Sequence, residues 1–104
     1  MAEFVPVGRA AELPPGSKRL IDIEGRAVAI FNVDGSFYCI DDMCTHDGGP
    51  LAEGELHGCE ITCPRHGARF DMRTGAALCM PAFEPVRAHE VMLRAGELLV
   101  KLTD

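Results

Sequence analysis

The sequence predicts an all-β domain, a sandwich or small barrel, on three observations. Short alternating or continuously apolar runs recur at close spacing, and glycine-bearing turn dipeptides separate them. No segment sustains a helical period beyond a short turn at Arg9 to Leu13. With 104 residues the chain forms one domain, 1–104, with room for a modest core.

The elements follow in order. Arg19 to Ile23 alternates in polarity, Glu24-Gly25 turns the chain, and Arg26 to Asn32 returns as an apolar run. Asp34-Gly35 is a strong hairpin signal. It joins that run to Phe37 to Ile40, which leads toward the cysteine at Cys44. Glu55 to His57 and Glu60 to Cys63 read as a second hairpin turning near Gly58. Arg69 to Asp71 and Ala76 to Leu78 flank a Thr74-Gly75 turn, and Val86 to Arg94 pairs with Leu98 to Lys101 around Ala95-Gly96. No repeat, linker or low-complexity stretch interrupts this pattern.

Composition narrows the partners. Sixteen acidic against ten basic residues leave a net charge of −6. That balance argues against nucleic acid or an anionic membrane, which select basic surfaces. It suits a monomeric carrier that docks on basic patches of other proteins. The longest apolar run is Ala27 to Phe31, far short of a membrane helix, and the N-terminus carries no signal-like segment. The expectation is a cytoplasmic protein without a membrane anchor. Of five cysteines, Cys39, Cys59 and Cys79 are expected to be reduced thiols. Cys39 and Cys59 stand in strand-like runs and suit small buried hydrophobes. Cys79 is assigned to packing, although it precedes Met80-Pro81, a stretch that could approach a metal site. His57 and His89 have no metal-like spacing to a partner and are read as surface or strand residues.

Two clusters carry the chemistry: Cys44-Thr45-His46 and, after sixteen further residues, Cys63-Pro64-Arg65-His66. Each half supplies one thiolate and one imidazole. Such a set can hold two iron atoms unequally, two cysteines on one and two histidines on the other, across bridging sulfides. A closed tetrahedral zinc site is the alternative. Zinc fingers usually pair Cys with Cys and His with His, whereas each half here mixes the types, the first with only one intervening residue.

The strings Cys44-Thr45-His46-Asp47-Gly48-Gly49-Pro50-Leu51 and Cys63-Pro64-Arg65-His66-Gly67 resemble the two cluster-binding loops of the Rieske iron–sulfur family. The resemblance extends over nearly the whole chain. Phe4 to Val7 is similar to the family's first strand, Val33 to Tyr38 to the hairpin before the first loop, and Phe70 to Gly75 to the exit from the second. Met80-Pro81-Ala82 is similar to the proline-bearing loop that covers the cluster. The resemblance implies an antiparallel β-sandwich with an inserted cluster-binding subdomain at about 42–70. It implies one 2Fe–2S cluster per chain, held by Cys44, His46, Cys63 and His66. Gly48, Gly49 and Gly67 would let the backbone fold close over the sulfides and present N–H donors to them.

High-potential members add a disulfide between the loops, but the matching positions here are Gly49 and Arg65. They also place serine and tyrosine hydroxyls near sulfur, where this chain has Ala68 and Phe70. Hydrogen bonds to sulfur stabilise the reduced state, so their loss implies a potential on the order of −150 mV, the low end of the range.

By this resemblance the chain looks like the ferredoxin component of an aromatic-ring-hydroxylating dioxygenase system. It would carry electrons from a flavoprotein, NAD(P)H-dependent reductase to a terminal oxygenase, without turning over a substrate. A small Rieske-like subunit of an assimilatory nitrite reductase, and a zinc-stabilised interaction module, are the alternatives. Asp41, Asp42 and Asp47 flank the first loop and are the candidate docking carboxylates.

Overall fold

Nine strands form among the described residues: β1 Phe4–Arg9, β2 Lys18–Ile23, β3 Arg26–Val33, β4 Ser36–Asp41, β5 Glu55–His57, β6 Glu60–Thr62, β7 Arg69–Asp71, β8 Ala88–Arg94 and β9 Glu97–Lys101. Single 3-10 turns stand at Ala10–Glu12 and Leu51–Glu53. This computed structural model describes residues 3–42, 51–64, 67–79 and 84–103. Cys44, His46, Asp47, Gly48, Gly49, Arg65, His66 and the run Met80-Pro81-Ala82 lie outside the described residues. No helix among the described residues is long and apolar enough to cross a membrane.

The strands form a six-stranded sheet, in the order β1-β9-β8-β4-β3-β2, and a three-stranded sheet, β5-β6-β7. All pairings are antiparallel. Three hairpins turn on two residues that both have positive φ: Glu24-Gly25, Asp34-Gly35 and Ala95-Gly96. This is the twist-matched turn geometry that glycine at the second position permits. The middle hairpin is fixed further by the buried Asn32, whose side-chain oxygen accepts the Gly35 N–H at 2.8 Å. Its amide nitrogen donates to the Leu13 carbonyl at 2.7 Å.

Strand β3 is buried on both faces. Ala29 and Phe31 join Ile40, Leu51, Ile61, Cys63, Ala68, Phe70, Met72 and Val86 in one core, between the two sheets. Val28 and Ile30 join Leu13, Ile23, Cys39, Leu98 and Val100 in a second core. That second set draws on both edges of the large sheet, so the sheet curls until its two ends share an interior. The seam between its halves is short, because β4 meets β8 only at Cys39↔His89 and Ile40↔Ala88.

Three expectations need correction. The eighth strand begins at Ala88 rather than Val86, because the Val86 N–H goes to the Gly75 carbonyl at 2.8 Å instead of into the ladder. Ala76 to Leu78 is not a strand and contributes one bridge, Phe70↔Ala77. Cys59 is half-buried in the β5–β6 turn, not buried in a strand.

Candidate metal centre

Of the four predicted ligands, Cys63 alone lies among the described residues. It follows β6 directly, is 1% exposed, and its thiol has no hydrogen-bond partner among the described residues. A buried, unpartnered thiol at the mouth of a loop suits a metal ligand, which becomes a thiolate when metal replaces its proton. An open cleft beside it is lined by Glu53, Gly54 and Glu55 from one segment and by Thr62, Cys63, Pro64 and Gly67 from another.

The loop that carries Cys63 and His66 is closed by backbone bonds at its base. The ladder of β6 and β7 pairs Thr62 with Arg69. One step further, the Cys63 N–H donates to the Ala68 carbonyl at 2.6 Å, and the Gly67 N–H donates to the Cys63 carbonyl at 3.1 Å. Gly67 stands at φ +77°, a left-handed conformation that the tight return requires. Its amide is therefore committed within the loop, and the expected role of Gly67 reduces to shaping the turn.

The loop that carries Cys44 and His46 is closed at residues the sequence reading did not single out for this purpose. The Asp42 carboxylate accepts the Ala52 N–H at 2.8 Å, joining the two ends of the segment. The Lys18 ammonium, from β2, donates to the Ala52 carbonyl. Leu51 and Ala52 then bury themselves in the same core as Cys63 and Ala68. Gly54 completes the arrangement: a Cβ there would lie 1.8 Å from the Thr62 carbonyl oxygen, so only glycine lets this segment lie against the end of β6. The bases of both loops are thus fastened side by side, and each predicted ligand lies within a few residues of a base. The donor set and this convergence fit a metal cluster held between two loops.

Asp41 and Asp42 are structural rather than free docking groups. Asp41 meets Arg26 at 3.2 Å and His89 at 2.7 Å. His89, expected only to be a surface or strand residue, is a buried member of β8. No sequence signal pointed to this network, because Asp41 and His89 meet only through the β4–β8 register. Cys39 is buried as expected, and burial, with the nearby Asp41 carboxylate, pushes its thiol up to about 12. Cys79 does approach the second loop. Its thiol lies 3.6 Å from the Gly67 carbonyl and accepts from Arg69 Nε at 3.5 Å, a hydrogen bond that lowers its pKa. Ala68 and Phe70, the positions matched to the missing hydroxyl donors, are fully buried.

The Rieske [2Fe-2S] domain family matches residues 3–90. The ferredoxin component of a naphthalene 1,2-dioxygenase system from Pseudomonas aeruginosa is 35% identical over 92 residues, 88% of each chain. The 3-phenylpropionate/cinnamic acid dioxygenase ferredoxin subunit of Escherichia coli (strain K12) is 37% identical over 95 residues, 90% of this chain and 89% of that one. Among solved structures, the ferredoxin of carbazole 1,9a-dioxygenase from Nocardioides aromaticivorans IC177 superposes with a TM-score of 0.91 at 36% identity. That match covers 96% of this chain and 98% of the other. A ferredoxin in complex with its oxygenase, from a carbazole 1,9a-dioxygenase, gives a TM-score of 0.89 at 34% identity, covering 94% of this chain and 92% of that one. With the paired loop bases, the buried Cys63 thiol and a family match over most of its length, this chain belongs to the Rieske [2Fe-2S] domain family.

Proposed function

We propose that the chain is a one-electron carrier, the ferredoxin component of a ring-hydroxylating dioxygenase system, working between an NAD(P)H-dependent flavoprotein reductase and a terminal oxygenase. The observation that carries this reading is the buried Cys63 thiol, without a hydrogen-bond partner among the described residues, at the junction of two fastened loop bases. Similarity to ferredoxin components along nearly their whole length supports the carrier role. Cys44 and Cys63 would hold one iron as thiolates, and His46 and His66 the other as neutral imidazoles. The 2Fe–2S cluster, one per chain, supplies reversible uptake of a single electron. Asp42, Gly54 and the Cys63–Ala68 closure hold the two loop bases together, a rigidity that would limit reorganisation on electron transfer. The domain is 1–104, with a cluster-binding subdomain at about 42–70 that contains β5, β6 and both loop bases. A monomer in the cytoplasm fits an acidic carrier of this size.

The test is the low-temperature EPR spectrum of the purified protein after dithionite reduction. A rhombic signal, with an average g below that of all-cysteine 2Fe–2S ferredoxins, is the expected result. Colourless protein containing stoichiometric zinc would overturn the reading and leave a zinc-stabilised module.

A further inference from the structure

His89 is buried, and both its ring nitrogens are committed. Nδ1 accepts the Thr103 backbone N–H at 2.9 Å, which requires that nitrogen to be unprotonated. The proton of the neutral ring then sits on Nε2, 2.7 Å from Asp41 Oδ1, and donates to the carboxylate. Arg26 reaches the same carboxylate at 3.2 and 3.4 Å and also donates to the Thr103 carbonyl at 3.2 Å.

Asp41 is the last residue of β4 and stands three residues before Cys44. The strand pairing of β4 with β8 ends at Ile40↔Ala88. Beyond it, the Asp41 N–H reaches the Arg87 carbonyl at 3.0 Å and the Asp42 N–H the Ala27 carbonyl at 3.0 Å. The Asp41 side chain is gripped at the same place, from β3 through Arg26 and from β8 through His89. Any freedom at Asp41 would pass directly to Asp42, whose carboxylate closes the loop.

We propose that His89 is a positioning residue for the metal centre. Through its Nε2–H bond to Asp41 it fixes how the chain enters the first ligand loop, and so sets the potential of the centre. This rests on the assignment of Cys44 and His46 as ligands.

Two variants of the holo-protein separate the two bonds of the ring. In His89→Gln the amide nitrogen takes the place of Nε2, keeping the donor to Asp41 and losing the acceptor for Thr103. In His89→Asn the amide oxygen takes the place of Nδ1, keeping the acceptor and losing the donor. The expected result is a shifted midpoint potential and a broadened reduced EPR signal in His89→Asn, with wild-type values in His89→Gln. Wild-type potentials in both, equal shifts in both, or a shift in His89→Gln alone would each overturn the inference. If His89→Asn does not accumulate, a cycle through Asp41→Asn carries the test. With the carboxylate gone, adding His89→Phe should leave the potential where Asp41→Asn put it, and a further shift overturns the inference. A wild-type chain that gives no mixed-ligand signal would defeat the ligand assignment and this inference with it. A normal wild-type signal with an unresponsive potential defeats this inference alone.

Discussion

The Asp42 carboxylate accepts the Ala52 N–H at 2.8 Å, so a side chain just before the first predicted ligand pair closes the segment that carries the pair. Ala52 is buried, and without that acceptor its N–H would be left without its partner. Asp42→Ala is therefore expected to destabilise the protein by about 1–3 kcal/mol. Iron should be lost to a chelator faster than from wild type. Asp42→Asn, which keeps an acceptor oxygen, should recover most of both. Thermal melts and the decay of visible absorption under chelator check this. An Asp42→Ala protein as stable as wild type would remove the closure from the account.

Gly54 tests the contact between the two loop bases. A methyl group there meets backbone, 1.8 Å from the Thr62 oxygen and 2.9 Å from its carbon, and no side-chain rotation relieves it. Gly54→Ala should cost about 3 kcal/mol and lower the iron content. Gly58→Ala is the comparison, with φ +61° and open space around the added methyl. It should cost about 1 kcal/mol, the penalty of a left-handed alanine, with iron content unchanged. Urea denaturation and iron assay distinguish the two.

The midpoint potential should fall on the order of −150 mV, since neither matched position supplies a hydroxyl donor. Ala68→Ser and Phe70→Tyr restore such groups at fully buried positions. Each donor that reaches sulfur should raise the potential by roughly 60 mV, equivalent to about 1.5 kcal/mol for a hydrogen bond to a charged acceptor. A redox titration placing wild type well above zero would contradict the expectation.

The thiols should separate by reactivity. Cys79, held by Arg69, has a lowered pKa, whereas that of Cys39 is pushed up to about 12. At mildly alkaline pH, iodoacetamide should label Cys79 early and Cys39 only on unfolding. Arg69→Ala should slow the labelling of Cys79. The raised Cys39 value also has a stability consequence. Folding keeps this thiol neutral, so its contribution is complete below the ordinary thiol range near 9 and fades as pH rises toward about 12. Stability of Cys39→Ala should therefore fall less steeply than wild type across that window, as denaturant titrations at successive pH values would show.

The docking carboxylates should be sought beside the cleft. Asp41 and Asp42 are occupied within the fold, and Glu53 and Glu55 are exposed next to Cys63. Neutralising both glutamates should slow reduction by a partner reductase several-fold at low ionic strength and much less at high salt. Equal slowing at both, in stopped-flow traces, would exclude them from the encounter.

The strands could be read from the sequence because their turns advertise themselves. Glu24-Gly25, Asp34-Gly35 and Ala95-Gly96 each put glycine at a position of positive φ, and the apolar runs between them need no distant information. The ligand pairs were equally visible, since their meaning lies in local spacing. What holds the loops was not visible. Asp42 with Ala52, Gly54 with Thr62 and Asp41 with His89 are each brought together by register or chain return, and aspartate, glycine or histidine alone gives no sign of it. The early end assigned to β8 failed for the same reason: Val86 is claimed by Gly75, a partner outside its own sheet.

Because β3 divides two interiors, metal loss is expected to loosen one of them before the other. Cys63, Leu51, Ala52 and Ala68 all belong to one side of that wall, while among the described residues the other side is built around Ile23, Ile30, Leu98 and Val100. A chain stripped of iron is expected to keep amide protection around Ile23, Ile30, Leu98 and Val100, as hydrogen exchange would show.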